Sequence, residues 1–157
     1  KAFSADASNC PDLFPILAVL AAFCQGTSRL AGVGRLANKE SDRAKAILEM
    51  LTQMGVKASI EKDELIIEGH TLAQRLMSPV IPSEVPPVIP SEAEGSAAPG
   101  LLKGGAYTSH HDHRMVMALK VASLGADSPV TIDDEACVAK SFPQFHDIFT
   151  AVARKSL

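Results

Sequence analysis

At 157 residues, 46% of them hydrophobic, the chain can bury a core for one ordinary domain or for part of a larger one. A net charge of -3 with 4% aromatic residues leaves no broad basic surface and few stacking side chains for nucleic acid. The longest apolar run, Leu13 to Cys24, is too short for a bilayer span and contains Pro15, so no membrane segment is expected.

Cys10, Cys24 and Cys137 are an odd set without metal-ligand spacing, which suits a reducing cytoplasm better than a disulfide scaffold. Lys1 to Asp6 reads as a short strand and starts without an initiator Met, as in a fragment of a longer chain. Asn9-Cys10-Pro11-Asp12 supplies capping groups ahead of the apolar run, which has no polar face and reads as a helix buried on all sides. Gln25-Gly26 ends it, and Thr27 to Val33 reads as a strand.

The next helix is expected from about Lys39 to Met54, with Ile47, Leu48 and Leu51 on its apolar side and Gly55 as its stop. On that helix Lys39 and Arg43 stand four apart and Glu40 three before Arg43, so cations and a carboxylate gather near the amide-rich positive end. Such a corner can hold a phosphate or carboxylate while a proton moves; it can equally be a solvated first turn. Val56 to Ile60 alternates as a strand, Lys62-Asp63 reads as a hairpin turn and Leu65-Ile66-Ile67 as the return. The order from Lys1 to Gly69 is therefore β-α-β-α-β-β.

Between Met77 and Gly100 the composition turns to Pro, Ser, Glu, Ala and Gly, and Val80-Ile81-Pro82-Ser83-Glu84 repeats as Val88-Ile89-Pro90-Ser91-Glu92. This tract, 77-100, reads as a Pro-rich disordered insertion. The pattern then restarts, with Leu101 to Ser109 as a strand, Asp112 to Leu124 as a helix, Val130 to Ile132 as a strand and a last helix capped by Ser141. Helix-Gly-strand junctions recur at Gly26, Gly55 and Gly125, a weak internal repeat of βα units.

Two further clusters carry charge. In Ser109-His110-His111-Asp112-His113-Arg114 the histidines lack the spacing that puts two imidazoles on one helix face, so no metal is assigned. His113 and Arg114 at a helix start make a second anion-binding corner, or a plain capped helix. Lys140, just before Ser141, is a third cation placed at a βα junction, or a solvated loop charge; Asp12 adds a carboxylate, or a plain N-cap.

Asn9-Cys10-Pro11-Asp12, Lys39-Glu40-Ser41-Asp42-Arg43, His111-Asp112-His113-Arg114 and Ala139-Lys140-Ser141-Phe142-Pro143, in that order, resemble the C-terminal part of the 5-enolpyruvylshikimate-3-phosphate synthases. The resemblance covers nearly the whole chain except the Pro-rich tract. It implies an inside-out α/β barrel built of β-α-β-α-β-β units, the enolpyruvyl transferase fold, with about one and a half units in residues 1-157 as part of the C-terminal domain of a two-domain enzyme.

It also implies transfer of the enolpyruvyl group of phosphoenolpyruvate to the 5-hydroxyl of shikimate 3-phosphate, with release of phosphate, in a cytoplasmic enzyme of the shikimate pathway. By position in the motifs, Asp12 and Glu40 are the two acid-base groups, Asp12 also touching shikimate. Lys39 binds shikimate 3-phosphate, Arg43, Arg114 and Lys140 hold phosphoenolpyruvate, and His113 supports the pocket. Arg35 stands on the shikimate side, where many members carry an Asn. The resemblance implies no cofactor and no metal, a monomer at full length, and dependence on the N-terminal domain, so the chain alone is expected to be inactive. Two alternatives remain open, a related UDP-N-acetylglucosamine enolpyruvyl transferase and a non-catalytic anion-binding fragment.

Overall fold

The computed structural model describes residues 1–36, 42–69 and 102–153. Lys39, Glu40 and the Pro-rich tract from Met77 to Gly100 lie outside the described residues.

The strands β1 (Ser4–Asp6), β2 (Gly26–Ala31), β3 (Lys57–Glu61) and β4 (Glu64–Gly69) form one sheet in the order β1-β2-β4-β3. Between them run helices α1 (Phe14–Ala22) and α2 (Arg43–Gln53), so the β-α-β-α-β-β order expected from the sequence is the order observed. β1 pairs parallel to β2, and β4 pairs antiparallel to both β2 and β3. The β3–β4 hairpin turns on Lys62 and Asp63, with Lys62 in the left-handed region at φ 56°. Asp63 ties this turn to the end of β2: its carbonyl accepts from Gly32 and Val33 and its carboxylate from the Gly34 N–H. That fixes the start of a 3-10 helix, Val33–Leu36, in which Arg35 lies exposed.

α1 is the centre of the packing, because a helix with no polar face has to be covered by its neighbours. It lies against α2, β2, β4 and α3 (His113–Ser123). Phe14, Ala18, Val19 and Ala21 on α1 are fully buried, as are Met115, Ala118, Leu119 and Ala122 on α3. Burying each large side chain here contributes about 1.5–3 kcal/mol. Burial is not complete on every side as the sequence suggested: Leu13 and Leu20 are about half exposed.

The second unit starts with β5 (Gly105–Tyr107), which pairs parallel to β6 (Val130–Ile132), with α3 between them. The expected strand from Leu101 to Ser109 is shorter: β5 starts only at Gly105, at φ 135°, and Leu102 before it makes an isolated bridge to Ala126. A 3-10 helix, Glu135–Lys140, follows β6 and packs on α3 through Val116, Cys137 and Val138, with a 2.7 Å Lys120–Glu135 ion pair alongside. The last helix, α4 (Phe145–Ala153), has its apolar face on the surface, with Ile148 and Val152 exposed. Ser141 does not cap it as expected: Ser141 closes the preceding 3-10 helix, and α4 begins only beyond Pro143. Among the described residues no helix is long and apolar enough to cross a membrane.

Candidate functional site

α2 begins at Arg43, not at Lys39. Asp42 stands at the N-cap in a non-helical conformation and its carboxylate accepts from the Lys45 N–H, so it ends the helix on that side. The expected pairing of Lys39 with Arg43 on one helix face involves a residue outside the described ones. Arg43 itself points inward, with its side chain 2% exposed.

Four residues from three of the motifs close into a ring around that guanidinium. Arg43 Nε donates to Asp112 Oδ2 at 2.7 Å and Arg43 Nη1 to Asp12 Oδ1 at 2.8 Å. Asp12 Oδ2 faces Arg114 Nη2 at 3.5 Å, and the Arg114 backbone N–H donates to Asp112 Oδ1 at 2.9 Å. Two carboxylates thus neutralise two guanidinium groups, and the strongest contact is the buried one, since Asp112 is fully buried while Asp12 is 48% exposed. Burial alone would lower the Arg43 pKa; the bonds to Asp112 and Asp12 outweigh it and hold the guanidinium above its ordinary value. Arg114 Nε is buried and has no acceptor among the described residues.

The presentation of Asp112 depends on an unusual turn. His110 and His111 are both left-handed, at φ 53° and 57°, a conformation costing non-glycine residues roughly 1–2 kcal/mol each. Asp112 N–H donates to the Ser109 carbonyl to close the turn, and the Ser109 hydroxyl accepts from the His111 N–H. Asp133, just after β6, anchors it from below, accepting from the Thr108 hydroxyl at 2.6 Å and the Ser109 N–H at 2.8 Å. Those bonds, the Thr108 hydroxyl's first, hold the Asp133 carboxyl well below the usual carboxylate range. The two histidines diverge, His110 to Glu49 at 3.3 Å and His111 to Asp134 at 2.9 Å. Among the described residues no group of three or more His, Cys, Asp or Glu is arranged to hold a metal ion.

Of the residues singled out in the sequence, Asp12, Arg43 and Arg114 come together. His113 sits beside them in the first turn of α3. Arg35 lies on the 3-10 helix that packs against the 3-10 helix Pro11–Leu13 carrying Asp12. Lys140 lies in the connection between β6 and α4, as the exposed last residue of the 3-10 helix Glu135–Lys140. Asp112 and Asp133 went unassigned in the sequence; an acidic residue before a helix signals a cap, and nothing local reveals a partner 69 positions away.

The family described as EPSP synthase (3-phosphoshikimate 1-carboxyvinyltransferase) matches residues 1–149. Curated relatives named 3-phosphoshikimate 1-carboxyvinyltransferase include one from Clostridium acetobutylicum, 39% identical over 89% of this chain and 26% of its own length. Another, from Brachyspira hyodysenteriae, is 35% identical over 99% of this chain and 30% of its own length. A solved EPSP synthase from Acinetobacter baumannii superposes with a TM-score of 0.67 and 31% identity, over 88% of this chain and 26% of that one. The chain thus spans about a quarter of the length of the relatives it matches.

Proposed function

The chain belongs to the EPSP synthase family, and with that membership as premise we propose that it is part of the C-terminal domain of a two-domain enolpyruvyl transferase. Its first β-α-β-α-β-β unit and the elements that follow have the enolpyruvyl transferase fold. The reaction joins phosphoenolpyruvate to shikimate 3-phosphate. The 5-hydroxyl oxygen bonds to C2 of phosphoenolpyruvate while its proton leaves to a carboxylate and C3 gains a proton. Elimination then breaks the bond from C2 to the phosphate oxygen as C3 gives up a proton, restoring the double bond and releasing inorganic phosphate.

The observation that carries this reading is the ring itself, in which Arg43 and Arg114 are brought around one carboxylate, Asp12. An anion with two oxygens fits the place that Asp12 fills between them. The 3.5 Å contact to Arg114 is the weaker of the two, and Arg114 Nε still lacks an acceptor among the described residues. Fixed cations need little reorganisation as negative charge develops on the substrate. In this reading Arg43, Arg114 and Lys140 hold phosphoenolpyruvate, Lys39 and Arg35 face shikimate 3-phosphate, and His113 supports the pocket. Asp12, released by the incoming anion, accepts the hydroxyl proton, and Glu40 is the second acid-base group. The three cysteines, none in a disulfide among the described residues, suit a reducing cytoplasm. The complete enzyme works as a monomer.

Turnover on this reading needs the other domain, which supplies the remaining substrate contacts and shuts out water. The test is phosphate release from phosphoenolpyruvate and shikimate 3-phosphate. The two-domain enzyme is expected to release it and the 157-residue chain alone to release none; robust release by the chain alone would overturn the shared site.

A further inference from the structure

We propose that Asp112 is a positioning residue, which locks the Arg43 guanidinium to the start of α3 and so sets the spacing of the two cations that grip the substrate anion; this rests on the function proposed above. Asp112 is the one member of the ring that is fully buried and uses both oxygens on different elements. Oδ2 takes Arg43 Nε from α2, and Oδ1 takes the Arg114 N–H of α3. A single rigid carboxylate therefore couples the backbone that carries Arg114 to the side chain of Arg43. Asp12, half exposed and bound to the outer nitrogens, is placed to leave; Asp112 is placed to stay.

The double bond pattern makes the role separable from helix capping. Asp112→Ser keeps an acceptor at the N-cap and loses the reach to Arg43. Asp112→Asn keeps the size but has one acceptor oxygen, so it serves the cap or Arg43, not both.

Two measurements test this. In the 157-residue chain, the Arg43 Nε–H proton is expected to exchange slowly with water, to remain slow in Asp12→Ser, and to become fast in Asp112→Ser. In the two-domain enzyme, Asp112→Ser is expected to raise KM for phosphoenolpyruvate between about tenfold and a hundredfold, the scale of one charge-assisted hydrogen bond. Its kcat and its KM for shikimate 3-phosphate should stay within about threefold, and Asp112→Asn should fall between Asp112→Ser and the parent enzyme. A merely structural role would lower melting temperature without this split. Slow exchange in Asp112→Ser overturns the proposal, as does an unchanged KM for phosphoenolpyruvate in Asp112→Ser; if Asp112→Ser fails to fold, the same readings on Asp112→Asn decide. A parent enzyme that turns over neither substrate refutes the proposed function instead, and the exchange rates still decide whether Asp112 fixes Arg43.

Discussion

Arg43 on α2 and Asp112 at the start of α3 are joined by a 2.7 Å hydrogen bond across 69 positions of sequence, with side chains 2% and 0% exposed. A buried pair of this kind is weak evidence for stability when whole and costly when broken, because the remaining partner is left charged in a dry place. It is therefore the point at which the packing of the fold and the proposed chemistry depend on the same atoms.

Replacing Arg43 by Met should destabilise the chain by about 3 kcal/mol, the low end for breaking a buried pair, since Asp112 keeps its bond from the Arg114 N–H. Adding Asp112→Ser should restore much of that loss by removing the stranded carboxylate. Urea unfolding of the single and double variants reads both values, and a double variant no more stable than Arg43→Met would contradict the coupling.

Acid should loosen the turn that carries Asp112. The Asp133 carboxyl is depressed in the folded chain, chiefly by the Thr108 hydroxyl, so its contribution is present above the unfolded pKa of about 3.9 and is lost as pH falls below it. Thr108→Val should raise the Asp133 pKa toward the ordinary value and flatten the loss of stability below about pH 4. Carbon-detected titration of the Asp133 carboxyl checks the shift; an unchanged midpoint in Thr108→Val would assign the effect elsewhere.

Gly69, the last residue of β4, lies where the carbonyls of Ala21 and Cys24 at the end of α1 press on the sheet, and a Cβ there would run into both oxygens. Backbone atoms cannot yield as a flexible side chain does. Gly69→Ala should cost roughly 1–3 kcal/mol or more, whereas Gly34→Ala, which meets only the Asp63 carboxylate at 3.1 Å, should cost much less. Thermal melts of the two variants side by side give the comparison.

Much of the fold was legible because the signals were local. The uniformly apolar stretch that became α1, the Lys62-Asp63 turn and the glycine stops after helices each act over a few residues, and the first unit followed from them in the right order. Element starts were less legible: Asp42 caps α2, which begins at Arg43, four positions past the start expected from the sequence, and Pro143 separates Ser141 from α4. In the site, Asp12, Arg43 and Arg114 stood out as charges at helix starts, but Asp112, which holds Arg43, and Asp133, which anchors the turn before it, did not. Asp112 and Asp133 resemble ordinary capping residues until the chain brings α2 against α3 and β6 beneath the turn.

Glu40 separates proton movement from binding. In the two-domain enzyme Glu40→Gln keeps the shape and removes the proton acceptor, so kcat should fall by about 10² or more with little change in either KM. Near-normal kcat, with circular dichroism confirming the fold, would reduce Glu40 to a charge at the edge of the site.

The central claim is that these motif cations grip phosphoenolpyruvate, and Arg114 tests it most directly because its side chain is partly exposed and, among the described residues, makes only the long 3.5 Å contact to Asp12. The measurement is steady-state kinetics of Arg114→Ala in the two-domain enzyme, with each substrate varied in turn. Loss of a charge-assisted contact in a closed site should weaken phosphoenolpyruvate binding by roughly 2–4 kcal/mol and leave shikimate 3-phosphate nearly unaffected. An unchanged KM for phosphoenolpyruvate, or an equal rise for both substrates, would contradict it.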